Sequence, residues 1–483
     1  MLSNLFMKKG KGNLAMIIQY DTDTGNLEEY TGSLSQHIQE TYRIENFYYQ
    51  GNVKRGLRNS DGTGVVVGAT KVGSVQGYLI EDGVRIPIPG QLYYRGIELN
   101  EIVEAHRSAN TFGFEEVCFL LLMGHLPSRS EMTRFNEIIN EARTLPRGFT
   151  EDMIMKSPSK DIMNKLGRSV LSLYSYDEDP DDTSVDNLLL QSVKLIGAFP
   201  SIVANAYMVK RHYFEGRSLH LHYPKPELST AENFLRMLRE DCGYTELEAR
   251  TLDVALVLHA DNGGGNNSTF VCRALTSSGT DTYSAIAGAV GSLKGPLHGG
   301  ANAKVMEMFD YIKENVDPHD DGSIKDYLVK LLKKEAGDKS GKIYGLGHAI
   351  YTYSDPRAVL LRKHAEHLAE IKGYYEDFQL LKKVEDLGIP LVQELHNHSM
   401  PMCANVDLYS GLVYNMLGIP RDVITPIFAS ARIAGWCAHR IEETVTSNRI
   451  MRPAYRAVSK RVPYEPMDKR SKNVDLSKSP RQP

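Results

Sequence analysis

Thr245–His259 reads TELEARTLDVALVLH, and this stretch decides the fold class. Thr245, followed three residues later by Glu248, forms a capping box, the signature of a helix start. Leu252, Ala255, Leu256 and His259 then fall at i, i+3, i+4 and i+7, one face of a helix. The same signals recur outward along the chain. Ser229-Thr-Ala-Glu232 is a second capping box. Val305, Met308, Phe309 and Ile312 repeat the helical period after residue 300, and Leu408, Leu412 and Val413 repeat it near the C-terminus. Strand-like alternation is almost absent beyond residue 95. Upstream, the GVVV run Gly64–Val67, then Arg85–Pro87 with Pro89-Gly90, read as short strands and turns. The pattern predicts an all-α protein with a minor β element near the N-terminus.

The bulk numbers exclude several classes. With 483 residues, 42% hydrophobic and 24% charged, the chain can bury a large core and form more than one domain. A net charge of −4 gives no global field for nucleic acid. The five cysteines, Cys118, Cys242, Cys272, Cys403 and Cys437, are odd in number and contain no C-x-x-C pair. They predict reduced thiols rather than a disulfide frame or a zinc cage. No apolar run is read as long enough to span a bilayer, the longest clear one being Val117–Met123. The N-terminal segment has neither the signal-peptide order nor the arginines of a mitochondrial leader, so a cytoplasmic location is expected. The first sixty residues are polar and Gly-rich and predict a loosely attached arm. Arg461–Pro483 is polar, basic and Pro-containing and predicts a disordered tail. Asn315–Gly322 and Asp338–Gly347 are turn-rich and bracket a helical segment.

Four segments carry chemistry. In Gly295-Pro-Leu-His298-Gly-Gly-Ala-Asn302 a Gly-Pro turn delivers a histidine to the first turn of a helix. The positive end of that helix disfavours a protonated ring, so His298 is expected to be a neutral donor suited to an enolate. Taken alone, it also reads as a capping histidine. Gly345-Leu-Gly347-His348 presents a second histidine on a flexed loop, with Asp355-Pro356-Arg357 following. Alone, that is a surface loop with an incidental ion pair. Asn405-Val-Asp407 precedes an apolar helix, where Asp407 alone reads as an N-cap. The fourth segment is Ala431-Arg432-Ile-Ala-Gly-Trp436, with Arg432 expected to open a helix that ends near Arg449. Arg452-Pro453 follows.

Together these segments resemble the citrate synthase family. GPLHGGAN, GxGHxxYxxxDPRA, NVDxYSG, ARxxGWxAH and the later RP stand in the family's order. Fainter likeness in GVVVGAT, YYRGIEL and FEEVCFLLLMGHLP extends the match over roughly residues 60 to 455. The resemblance implies an enzyme of the tricarboxylic acid cycle that condenses acetyl-CoA with oxaloacetate and releases citrate and CoA. It assigns catalysis to His298, His348 and Asp407. It assigns oxaloacetate binding to His259, Arg357 and Arg432, with Arg452 reaching into the partner of a homodimer. The thioester is a substrate, and neither a cofactor nor a metal is implied. The implied domains are an arm over 1–60, a large helical domain over 61–299 and 419–455, a small one over 300–418, and a flexible tail over 456–483.

The chain departs from the family pattern in two places. HADNGGGNNST, starting at His259, has Asn262 where relatives often have histidine and is one residue longer. Its GGG run lacks the Lys-Ser/Thr of a phosphate loop. Past His348, Ala349 and Thr352 stand where many relatives carry basic residues for CoA phosphates, leaving Lys342 as the expected CoA contact. The same fold also allows a 2-methylcitrate synthase using propionyl-CoA, because one methylene changes pocket affinity by only about 1–3 kcal/mol. From another class, His220-x-His222 or His396-Asn-His398 could chelate a metal in a hydrolase, although no readable set of carboxylate or cysteine ligands accompanies either.

Overall fold

The structure, a computed structural model of the chain, describes residues 35, 38–395, 400–446, 449–459 and 461–470. They fall into two compact units, one formed by Met1–Val66 with Arg452–Pro483 and the other by Val67–Met451. The first contains short 3₁₀ turns at Asn46–Tyr48 and Met467–Lys469 and the single bridges Arg55–Arg58 and Arg58–Gly64. The expected GVVV strand therefore does not form. Only Gly64 pairs, and Val66 and Val67 are exposed with no strand beside them.

The second unit opens with a three-stranded antiparallel sheet: β1 (Gly73–Glu81), β2 (Val84–Tyr94) and β3 (Ile97–Glu98). Glu81 pairs with Val84 across Asp82-Gly83, both with positive φ (50° and 78°), the conformation a two-residue hairpin turn needs. Pro89-Gly90, expected as a turn, lies inside β2, where the ladder breaks: Gln76 pairs with Gln91 and Tyr78 already with Pro87.

Every regular element described after Glu98 is helical. Both expected capping boxes are present, with Ser229 and Thr245 each accepting from the backbone of a glutamate three residues on. Leu252, Ala255, Leu256 and His259 are all buried on one face, as are Val305, Met308, Phe309 and Ile312. Helix Arg421–Thr446 is central. It packs on Val185–Glu215, Asn267–Thr276, Phe114–Met123 and Glu246–His259, with Trp436 wholly buried. Arg432 thus sits inside this helix rather than at its start. Val185–Glu215, 31 residues long with hydropathy 1.4, is apolar and long enough to cross a membrane, contrary to the sequence reading. Its apolar window is 78% buried by its neighbours, the environment of a core helix.

The helices Ala301–Asn315, Asp321–Leu332, Pro356–Lys372, Tyr375–Leu395 and Val406–Met416 pack largely on one another. The Asp321–Leu332 helix lies between the two turn-rich segments, as expected.

Candidate active site

The segments singled out in the sequence converge through backbone pairing. Leu346 bridges Ala404, Gly347 N–H donates to the Cys403 carbonyl (2.8 Å), and Asn405 N–H donates to the Gly345 carbonyl (2.8 Å). Gly345 has φ +88°, and a Cβ there would come within 3.0 Å of the Leu408 backbone, so only glycine permits this approach. The His348 loop and the Asp407 helix are thereby tied into one body. Asn302 joins them: its amide donates to Ser410 Oγ and to the Asp407 carbonyl (3.4 Å).

Asn405, not Asp407, caps the Val406–Met416 helix, its side chain accepting from Asp407 N–H (3.0 Å). Asp407 is therefore free of the capping duty. Among the described residues nothing donates a hydrogen bond to its carboxylate. Burial raises its pKa to about 6, against the opposing charges of Arg357 and Arg432. At neutral pH it is an ionised base stronger than an exposed aspartate.

His298 lies in the turn before the Ala301–Asn315 helix, not in its first turn. Burial, aided by the charge of Arg432, pulls its pKa down to about 4. The ring is therefore neutral, with desolvation as the larger cause and the Arg432 charge as the smaller. Its Nε2 accepts from Ser268 N–H (3.3 Å) and lies 2.9 Å from Ser268 Oγ. Trp436 Nε1 in turn donates to that Oγ (3.1 Å). With Nε2 accepting, the ring proton belongs on Nδ1. His348 is arranged the opposite way. Its Nδ1 accepts from Ile350 N–H and Tyr351 N–H, both at 3.1 Å, so the proton belongs on Nε2.

The cationic groups differ from one another. Arg357 is buried and held bidentately by Asp355 (3.0 and 2.8 Å), which also caps its helix. Burial opposes its charge, but Asp355 outweighs that and raises its pKa. Arg432, wholly buried, donates through Nε to the His259 carbonyl (2.6 Å) and lies over the Phe428 ring. Its two terminal nitrogens are buried without partners. Burial lowers its pKa to about 10, with Asp261 opposing the shift. His259, the last residue of its helix, packs 4.4 Å from Phe428 with Nδ1 unpartnered; burial and then the two arginines hold it neutral. A buried donor left unpaired costs on the order of 1–3 kcal/mol, so this arrangement is built to receive an anion.

Sequence reading overlooked four supporting residues. Asp355 holds Arg357, Ser268 orients His298, and Asp261 and His439 pair wholly buried at 3.2 Å, with the Asp261 charge favouring the charged form of Arg432. Asp355 stands two residues before its partner in the DPR motif, whereas Asp261, inside HADN, and Ser268 have partners remote in sequence. Lys342, the expected CoA contact, does not join this cluster. Lys342 is exposed and borders a small pocket with Lys304, Asp338 and Tyr344. Arg452 is exposed and belongs to the other compact unit. Thr352 is turned inward and 4% exposed, so it is not available to a CoA phosphate. Among the described residues no group of three or more His, Cys, Asp or Glu could hold a metal; His396 and His398 lie outside them.

Two histidines, a carboxylate of raised pKa and a buried arginine with open terminal nitrogens thus make up a site suited to an anionic ligand. The comparisons name the family. Residues 60–454 match the family described as citrate synthase, C-terminal domain. A citrate synthase of Deinococcus radiodurans is 36% identical over 366 residues, 75% of this chain and 88% of that one. A 2-methylcitrate synthase of Shewanella oneidensis is 31% identical, covering 75% and 87%. The solved structure of a Thermoplasma acidophilum citrate synthase, a ternary complex with carboxymethyl coenzyme A and oxaloacetate, superposes with TM-score 0.69 at 26% identity, covering 86% of this chain and 100% of that one. The chain belongs to the citrate synthase family, and the metal-dependent hydrolase reading falls with that assignment.

Proposed function

We propose that this chain condenses acetyl-CoA with oxaloacetate, and that Asp407, His298 and His348 carry the step. Asp407 takes a proton from the acyl methyl while His298 Nδ1–H donates to the thioester oxygen, stabilising the enol. The enol carbon attacks the oxaloacetate ketone, whose oxygen takes the proton of His348 Nε2. Water then cleaves the citryl thioester, giving citrate and CoA. Arg357, Arg432 and His259 hold the two carboxylates of oxaloacetate, the open Arg432 fork matching one of them while Arg357, already paired with Asp355, offers its remaining N–H groups. The observation that carries this reading is the buried Arg432 fork with no partner for either terminal nitrogen.

We also propose that residues 300–418 form a small domain carrying His348 and Asp407, whose inward movement on oxaloacetate would create the acyl-CoA site. Lys342 remains the proposed CoA contact. No metal or cofactor has a role in these steps. We further propose a cytoplasmic homodimer in which Arg452 completes the partner's site. Mixing Arg452→Ala with Asp407→Asn protein should restore activity in exchanged dimers, and no recovery after verified exchange would retire that proposal.

Thiol release from acetyl-CoA and propionyl-CoA, each with and without oxaloacetate, tests the function. Oxaloacetate-dependent release, faster with acetyl-CoA, is expected. Faster release with propionyl-CoA would make the chain a 2-methylcitrate synthase, and release independent of oxaloacetate would overturn condensation altogether.

A further inference from the structure

The break in the β1–β2 ladder is a socket. Because pairing jumps from Gln76–Gln91 to Tyr78–Pro87, Gly77 on one strand and Ile88–Gly90 on the other have no ladder partner. Their backbone groups face residues 350–354 of the His348 loop instead. Thr352 Oγ lies within hydrogen-bond reach of both the Gly77 carbonyl (2.5 Å) and the Ile88 carbonyl (3.1 Å). Gly90 N–H donates to Ser354 Oγ (3.1 Å). The fit is close at both glycines. A Cβ on Gly77 would stand 2.4 Å from the Ile350 carbonyl oxygen, and one on Gly90 would stand 2.0 Å from that of Ser354. Any other residue at either position would push the loop out of the socket.

What the socket grips is the segment that orients His348. The N–H groups of Ile350 and Tyr351 are the two donors to His348 Nδ1. The Tyr351 ring lies 4.5 Å from the His348 ring, and the Arg357 guanidinium lies over the same tyrosine at 5.6 Å. Buried bulges re-aim side chains next to active sites. We propose that Thr352, seated in the bulge of the β1–β2 hairpin, is a positioning residue that fixes the aim and the tautomer of His348. The hairpin is thus part of the catalytic apparatus, although no residue of it touches substrate in this scheme. This inference rests on the role assigned to His348 above.

Thr352→Val keeps the shape and removes the hydroxyl, and Thr352→Ser keeps the hydroxyl. The Val variant should lose about 10- to 100-fold in kcat, the scale of a misplaced catalytic group, with the oxaloacetate KM changed less than about twofold. The Ser variant should recover most of that loss. ¹⁵N spectra of histidine-labelled protein should show the Nε2–H signal of His348 weakened in the Val variant and restored in the Ser variant. Full kcat in a folded Val variant, or a loss that the Ser variant shares equally, would overturn the proposal. If the Val variant does not fold, Ser354→Ala, which removes the second tie, decides it: lowered kcat at unchanged KM supports the clamp and unchanged kcat refutes it. His348→Ala measured alongside separates the two claims. An active His348→Ala protein would sink the role of His348 itself, whereas an inactive one with Thr352→Val unaffected would sink only the clamp.

Discussion

His298 and His348 sit in two turns of similar sequence character, each flanked by glycines, yet their surroundings fix them in opposite tautomers. The Nε2 of His298 is occupied by a serine held by a tryptophan from another helix. The Nδ1 of His348 is occupied by the N–H groups of its own loop. The first arrangement depends on tertiary packing of side chains. The second depends on a loop conformation, which the hairpin then secures. The lesson is that which nitrogen donates is decided by the partner on the far side of the ring. The two arginines repeat the contrast, Arg357 being satisfied by a carboxylate already in place while Arg432 is left open for the ligand.

The largest expected effect belongs to the group that neither histidine can replace. Asp407→Asn should lower kcat by about a thousandfold, while oxaloacetate binding by calorimetry stays within about twofold. Near-normal turnover would mean that one of the histidines is the base. Next in size, Arg432→Ala should raise the oxaloacetate KM by about 10- to 100-fold, since a charged hydrogen-bonding group is lost. The double substitution of Arg357 and Asp355 by Ala should leave acyl-CoA turnover similarly starved of oxaloacetate. Equal, small effects from both arginines would erase the contrast between them. Ser268→Ala should lower kcat by about tenfold with little change in KM, because His298 Nε2 then keeps only the Ser268 N–H as a partner and the ring proton is held less firmly on Nδ1. At His348 the Nδ1 donors are backbone N–H groups of its own loop, so the counterpart variant there is Thr352→Val, which acts on them through the loop.

The mildest prediction concerns pH. Asp407 works ionised and has a pKa of about 6, so kcat/KM should be full above that value and fall as pH drops through it. His298 must be neutral and titrates near 4, so it adds no loss in the same range. An acid limb that vanishes in Asp407→Asn residual activity supports this assignment, and a limb centred well above 6 would transfer it to a histidine.

Much of this arrangement was legible in the sequence because helices announce themselves locally. The capping boxes at Ser229 and Thr245 and the buried faces they start are local patterns and were read correctly. The residues of the proposed site, His298, His348, Asp407, Arg357 and Arg432, stand out in the sequence through ordered motifs. What escaped was set by remote partners or by masking. Helix Val185–Glu215 is apolar on all sides and carries Pro200, so it offers no amphipathic period. The GVVV run offers β-branched residues but no strand forms there, Arg85–Pro87 does lie in β2, and the Asp82-Gly83 turn, the stronger hairpin signal, was not used. Asp407 was credited with a cap that belongs to Asn405, two residues earlier. The pairing of Asp355 with Arg357 was within reach of the sequence, whereas Ser268 with His298 and Asp261 with His439 required the fold.

The opposite tautomers of the two histidines are tested most directly by ¹⁵N NMR of histidine-labelled protein at pH 7, with His298→Ala and His348→Ala used to assign the signals. Both rings are expected to be neutral, His298 with its proton on Nδ1 and His348 with its proton on Nε2. A protonated ring at either position, or the same tautomer at both, would contradict the account.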